Sequence, residues 1–207
     1  MVDDRFGRTL ARGRHLEAQA KQLAERAAKD ADVWQDCRQQ VRESAHYDGL
    51  ELAPQRALLP LGPDPGSGLF EFVDVTTGTA PSRDDDGKLT IDESSGVVFV
   101  LVPPGIARIG AVRPRQPAAP KLGPHEDPGA RSTEGPVHQT RLDAFFLSKY
   151  ELTQAQWLRQ SSTNPSQTRV GNTFSGQPEI TALHPVEGVS WDGARTVLTR
   201  CGFELPT

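Results

Sequence analysis

The sequence predicts an α+β fold in which an amphipathic helix precedes a domain of short strands and long loops. Three observations support this prediction. Residues 14–48 contain neither glycine nor proline, residues 97–102 form an apolar run rich in valine, and 17 prolines and 19 glycines interrupt much of the remaining chain. With 207 residues, the chain is long enough to build one sizeable core.

The first element is predicted to be one long helix over residues 14–48. Its apolar side chains recur every three or four positions, as on one face of a helix, and Gly49 is a natural stop. Because the stripe is rich in alanine, it favours packing on a neighbouring element, while association through a short coiled coil remains open. The stripe consists of Leu16, Ala20, Leu23, Ala27, Ala31, Trp34, Cys37, Val41 and Ala45.

A connector and three strands are predicted next. Proline and glycine mark residues 54–68 as a rigid, turn-rich connector without a central strand. Residues 69–73 and 88–91 are predicted to form a hairpin around the polar turn 83–87. The run 97–102 predicts a core strand that is buried on both faces, because both of its faces are apolar.

The middle of the chain predicts more strands and two long loops. Residues 106–110 are the candidate returning strand after the core strand. Residues 111–136 have no periodicity and many prolines and glycines, which indicates an excursion loop. Short strands are predicted at 137–142 and 144–150, and residues 164–185 are again predicted to be loop.

Two short helices are predicted from their capping residues. Thr153 and Gln156 have the spacing of a capping box, which opens a helix carrying Trp157 and Leu158. Ser190 is the candidate N-cap of a second helix, which ends at Gly202 and whose apolar face is formed by Ala194, Val197, Leu198 and Cys201. Thr207 is a good N-cap residue with nothing left to cap, so we expect the domain to be truncated.

The window of residues 82–93 partly fits a calcium-binding loop. Asp84, Asp86, Gly87 and Glu93 fall at the third, fifth, sixth and twelfth positions of an EF-hand. The first position is a serine, and a strand follows where an EF-hand has a helix. The pattern therefore favours an acidic turn over a calcium site.

The histidines and cysteines do not have the spacing of metal ligands. Cys37 and Cys201 lie at opposite ends of the chain and are predicted to be ordinary thiols. The sequence therefore assigns no catalytic, cofactor-binding or metal-binding residue. Structural or surface roles are expected for the five histidines, which are His15, His46, His125, His138 and His184.

Composition excludes several function classes. The chain has 23 basic and 27 acidic residues, a net charge of −4, and no basic cluster that would attract a nucleic acid. The longest apolar run is far shorter than the roughly 20 residues of a membrane-spanning helix. The first thirty residues lack the apolar region of a secretory signal. The location is therefore unknown, with the cytoplasm as the default expectation.

Five segments in the second half of the chain form a recognisable series. They read GVVFVLVPPG (96–105), EGPVH (134–138), FFLSKYELTQ (145–154), HPVEGVSW (184–191) and LPT (205–207). In order and rough spacing, they resemble the formylglycine-generating enzyme (sulfatase-modifying factor) family over residues 95–207. PGIARIG (104–110) departs from the usual Gly-Gly-x-Phe-x-Met-Gly hairpin by lacking its aromatic residue and its methionine.

The upstream block resembles the linker before such modules in large bacterial proteins, some of which also carry a serine/threonine kinase domain. It reads GLELAPQ (49–55), GPDP (62–65) and GLFEF (68–72). The resemblance implies an α+β domain of a type related to C-type lectins, truncated here. The expected organisation is a helix over 1–48, a Pro/Gly-rich linker with a hairpin over 49–94, and a partial family domain over 95–207.

The resemblance also implies a chemistry. In active members, a pair of cysteines binds copper, activates oxygen and oxidises a sulfatase cysteine to formylglycine, and calcium often has a structural role. Those cysteines lie in the last third of the family domain, which this chain does not reach. Neither Cys37 nor Cys201 matches them, so copper and calcium are expected only for a complete active member.

The leading hypothesis is therefore an N-terminal fragment of a sulfatase-modifying-factor-like protein, inactive by itself. The parent activity would be oxygen-dependent oxidation of a protein cysteine to formylglycine, or a related oxidation, and whether this chain is an enzyme stays open. The alternative is a non-catalytic, lectin-like module that binds a peptide or glycan or acts as a scaffold. A protein substrate or partner suits both hypotheses.

Overall fold

The computed structural model describes residues 31–114, 122–172 and 179–206. Within these ranges the helices are α1 (Ala31–Glu43), α2 (Gln154–Ser161) and α3 (Trp191–Arg200), with a 3₁₀ turn at Ser132–Glu134. The strands are β1 (Leu58–Pro63), β2 (Phe70–Asp74), β3 (Ser82–Arg83), β4 (Leu89–Thr90), β5 (Val98–Val102), β6 (Gly105–Ile109), β7 (His138–Leu142) and β8 (Phe145–Ser148). Helices and strands are mixed along the chain, which confirms the α+β class. No helix in the described ranges is long and apolar enough to cross a bilayer.

One compact unit lies within Met1–Leu101 and Phe146–Thr207 and contains a four-stranded sheet in the order β1-β2-β5-β8. Strand β5 is an interior strand and pairs antiparallel with β2. Val98 and Leu101 are buried, while Phe99 and Val100 are half-buried. The predicted core strand is therefore confirmed, although its burial on both faces is incomplete.

The predicted connector at 54–68 is wrong in part, because β1 lies within it. Strand β1 is at the edge of the sheet, where prolines can be tolerated because one side of the strand has no partner to bond. A bulge between Pro60 and Gly62 interrupts its pairing with β2, and the positive φ of 85° at Gly62 favours glycine there.

The predicted hairpin between 69–73 and 88–91 is also wrong. Strand β2 pairs with β1 and β5, whereas β4 pairs with β3 across the polar turn. All five residues of β2 are buried, so this strand needs a partner on each edge. An apolar pattern identifies such a strand but does not identify its partners.

Helix α1 ends earlier than predicted, at Glu43 instead of Asp48. Its buried face carries Trp34, Cys37 and Val41, and continued helix would point Tyr47 away from that face. The chain leaves the helix, and Tyr47 becomes 1% exposed. Its hydroxyl donates to the carbonyl of Leu101 at 2.9 Å and accepts from the amide of Phe70 at 2.9 Å.

The apolar stripe of α1 packs on the sheet. The indole Nε1 of Trp34 donates to the carbonyl of Leu58 at 3.1 Å, and its ring lies 5.6 Å from that of Phe72. Packing on a neighbouring element is therefore confirmed for residues 31–43, and this part of the stripe is not free to form a dimer seam. The rest of the predicted helix, residues 14–30, lies outside the described residues, so association through it stays a prediction.

The second compact unit, Val102–Phe145, contains a two-stranded antiparallel sheet of β6 and β7. The candidate returning strand 106–110 was predicted to pair with the core strand, and this is wrong because its partner is β7, with Ile109 opposite His138. In the described part of 111–136, the chain forms an isolated bridge and the 3₁₀ turn, as expected for an excursion loop.

Both predicted helix caps are confirmed. The hydroxyl of Thr153 accepts from the amide of Gln156 at 3.2 Å, and the Gln156 side chain accepts from the amide of Thr153 at 3.0 Å, which completes the capping box. The hydroxyl of Ser190 accepts from the amide of Gly193 at 3.1 Å. After α3, Gly202 has a positive φ of 77°, as expected for a helix stop.

Candidate functional site

A buried carboxylate, Glu71, is the centre of an ion-pair cluster on β2. Its side chain is 0% exposed, lies 2.8 Å from the guanidinium of Arg83 and contacts the ammonium of Lys149. The same ammonium donates to Asp64 at 3.0 Å. This hydrogen bond, assisted by Ser67, holds the pKa of Asp64 well below its usual range.

The cluster is suited to fixing structure and not to proton or electron transfer. Two carboxylates face two cations, so the charges balance, and a buried carboxylate requires such partners. This cluster was not predicted from the sequence. The available signal was Glu71 itself, a charged residue in the middle of the apolar segment 69–73.

A second polar cluster lies on α2 and anchors the loops around it. The amide of Gln154 donates to the carbonyl of Thr168 at 2.8 Å, and that of Gln156 donates to the carbonyl of Gly96 at 3.1 Å. The guanidinium of Arg159 donates to backbone carbonyls just before β5. Because these side chains donate to backbone carbonyls, the cluster has a structural role.

Neither cysteine resembles a reactive thiol. Cys37 is buried on α1, and burial raises the pKa of its thiol to about 12. Cys201 is half-buried at the end of α3, and burial, followed by the nearby charge of Asp74, raises its pKa. A thiol ligates metal or attacks a substrate as a thiolate. Burial therefore favours the protonated form of both thiols.

The residues present do not fit the copper site that the resemblance implies. Such a site needs two ionised thiols that converge on one metal. Cys37 and Cys201 lie on different helices, and each has a raised pKa. Within the described residues, no group of three or more His, Cys, Asp or Glu side chains converges.

The acidic window 82–93 contains β3, β4 and the hydrogen-bonded turn that joins them. The carboxylate of Asp84 accepts from the backbone amides of Asp86 at 3.0 Å and Lys88 at 2.8 Å. Asp92 accepts in the same way from the amide of Ser94 at 2.8 Å. These carboxylates stabilise local turns, which is the role that the acidic-turn interpretation predicts.

The four described histidines occupy separate places. The Nδ1 atom of His184 accepts from the amide of Thr181 at 3.0 Å, so this ring has a local structural partner. His46 and His138 are exposed, and His125 is half-buried. His15 lies outside the described residues.

A cavity of about 460 Å³ lies in the second unit. Arg113, Arg131 and Ser132 line it beside apolar residues. The Nε atom of Arg113 donates to the carbonyl of Ala130 at 2.7 Å, and this hydrogen bond links two parts of the loop 111–136. The lining contains no thiol, histidine or carboxylate, so it does not supply a donor set for copper or calcium.

Comparison with known proteins identifies the family. Residues 90–207 match the Sulfatase-modifying factor enzyme 1-like domain, and this match covers more than half of the chain. No curated protein and no solved structure matches the chain. The matched range begins at Thr90, the last residue of β4, and includes β5, the strand at which the resemblance in sequence begins. The chain belongs to the sulfatase-modifying factor family.

Proposed function

We propose that the chain is the N-terminal part of a sulfatase-modifying-factor-like protein and that residues 1–207 alone do not catalyse an oxidation. The family match over 90–207, together with two cysteines whose thiols stay protonated, carries this proposal. In a complete active member, copper would be held by a cysteine pair outside this chain, and calcium would have a structural role. The parent would oxidise a protein cysteine to formylglycine, or perform a related oxidation.

The proposed parent reaction has a simple electron balance. The carbon–sulfur bond of the target cysteine breaks, the sulfur leaves as hydrogen sulfide, and an aldehyde oxygen takes its place. The aldehyde is two electrons more oxidised than the thiol, whereas reduction of dioxygen to water takes four. A thiol reductant must therefore supply the other two electrons and be present in any assay.

The test is an anaerobic copper(I) titration of the 207-residue chain against a chromophoric chelator. The matched control is the double variant Cys37→Ser/Cys201→Ser. Because both thiols have raised pKa values, we expect both proteins to leave the copper–chelator complex intact. Removal of one copper equivalent by the wild-type chain, but not by the double variant, would contradict the proposal.

A second assay examines catalysis directly. A sulfatase-derived peptide with its target cysteine is incubated with the chain, copper, oxygen and a thiol reductant, and aldehyde is detected by hydrazone formation. We expect no aldehyde above the level with the protein omitted. Aldehyde that depends on the wild-type chain would show that residues 1–207 are catalytic by themselves.

A second candidate, a non-catalytic binding or scaffolding module, is supported by one exposed aromatic residue. Trp191 on α3 is 61% exposed, and the guanidinium of Arg195 lies 4.7 Å from its ring centroid. A flat exposed indole can stack on a sugar ring or an apolar peptide side chain. A fluorescence titration with chitotriose and mannotriose tests this candidate. A saturable change that is lost in Trp191→Phe would support it, and no change in the wild type would count against it.

A further inference from the structure

We propose that residues 31–89, which precede the matched family domain, are its obligate intramolecular partner and not a linker. The segment binds an interaction surface that residues 95–101 and 146–159 present, and Glu71 sets its register. Three kinds of contact support this inference independently: backbone pairing, buried ion pairs and aromatic packing. The inference goes beyond the proposed function, since it concerns how the domain is completed.

Backbone pairing places the preceding segment inside the sheet. Strand β2 lies between β1 and β5, with Phe72 opposite Phe99 and Val73 opposite Val98. Farther along, Thr79 pairs with Ser95, and its amide donates to the carbonyl of Ser94 at 2.8 Å. Without residues before 90, the apolar strand β5 would have an unpaired edge, which is a site for aggregation.

The ion pairs connect the two parts of the chain and define their register. Glu71 precedes the matched range, whereas its partner Lys149 lies within it. Asp64, also in the preceding segment, reaches the same ammonium. A slip of β2 by one residue would turn Glu71 to the opposite face of the sheet and leave its charge buried without a cation.

Aromatic and polar side chains complete the contact. The ring of Phe72 is 0% exposed and lies edge-on to that of Phe146, with 5.1 Å between centroids. The hydroxyl of Tyr47 bridges Phe70, in the preceding segment, and Leu101, in the matched range. A flexible linker would not leave a tyrosine and a phenylalanine fully buried against the domain that follows it.

The experiment uses the full chain with a specific protease site inserted between Asp85 and Asp86. Both residues are exposed in the turn between β3 and β4, so the insertion leaves the sheet intact. Cleavage then separates the chain covalently into 1–85 and 86–207. We expect the two pieces to elute together in native buffer at the position of the uncut protein and to separate only in denaturant. Separation in native buffer would overturn the proposal.

A matched pair of variants tests the register claim in the cut protein. Lys149→Met removes the ammonium that faces Glu71, whereas Lys88→Met removes an exposed ammonium from the same piece. We expect Lys149→Met to weaken association of the pieces at least 100-fold and Lys88→Met to change it less than threefold. Equal retention in both variants would overturn the role of the ion pair. Lys149→Arg keeps the charge and should restore most of the association. This variant is the control that separates loss of the charge from misfolding caused by any substitution at position 149.

Discussion

The hydroxyl of Tyr47 offers a sharp test of the packing described here. The substitution Tyr47→Phe keeps the buried ring and removes one oxygen, which bonds both the amide of Phe70 and the carbonyl of Leu101 at 2.9 Å. Each net hydrogen bond contributes about 1 kcal/mol, and a buried backbone group left without a partner costs about 1–3 kcal/mol. With two such groups, the free energy of unfolding should fall by about 2–6 kcal/mol.

Urea unfolding followed by far-ultraviolet circular dichroism measures this change. The midpoint should fall while the slope stays constant, because the surface exposed on unfolding is unchanged. The control is Tyr150→Phe, whose ring is 43% exposed and whose loss should be within about 0.5 kcal/mol. If the two variants have equal stability, the Tyr47 bridge does not contribute as described.

Four smaller predictions follow from single residues. Thr153→Ala should lower the free energy of unfolding by about 1 kcal/mol through loss of the helix cap, and an unchanged urea midpoint would contradict this. The folded-state pKa of Asp64 is lowered, mainly by Lys149, so its stabilisation is present above pH about 4 and is lost as pH falls through the folded pKa. The difference in free energy of unfolding between the wild type and Asp64→Asn should therefore become smaller below pH about 4. A difference that stays constant with pH would contradict this prediction. Acrylamide should quench mainly Trp191, because the other two tryptophans are buried, so Trp191→Phe should remove most of the quenchable fluorescence. Cys37 should resist a thiol reagent at pH 8 until urea unfolds the chain, because burial raises its pKa to about 12, and rapid native labelling would contradict this.

Local signals in the sequence predicted the individual elements well. The β-branched run at 97–102 contains the interior strand β5. The polar residues Thr153 and Ser190 are the N-caps of α2 and α3. These features depend on short-range rules of propensity and capping, so the residues themselves carry the information.

Pairing between distant strands was not predicted from the sequence. The connector assigned at 54–68 contains β1, and the strand around Phe70 pairs with β1 and β5 instead of with 88–91. A hydrophobic pattern shows that a strand is buried, but it does not show which strands are its hydrogen-bonded neighbours in the sheet. The prolines in β1 argued against a central strand and were consistent with the edge position that it occupies.

The candidate site was not predicted from the sequence. The spacing of Cys37 and Cys201 predicted ordinary thiols, and the absence of a catalytic or metal-binding cysteine stays a prediction. The ion-pair cluster around Glu71 was missed because Asp64, Arg83 and Lys149 are far apart in sequence and come together only through the sheet.

The central proposal is that residues 1–207, which belong to the sulfatase-modifying factor family, do not oxidise a cysteine by themselves. The most direct test places the 207-residue chain beside a complete active member of the family in the same aldehyde assay, with copper, oxygen and a thiol reductant. The account predicts that aldehyde forms only with the complete active member. Aldehyde formation by the 207-residue chain alone would contradict it.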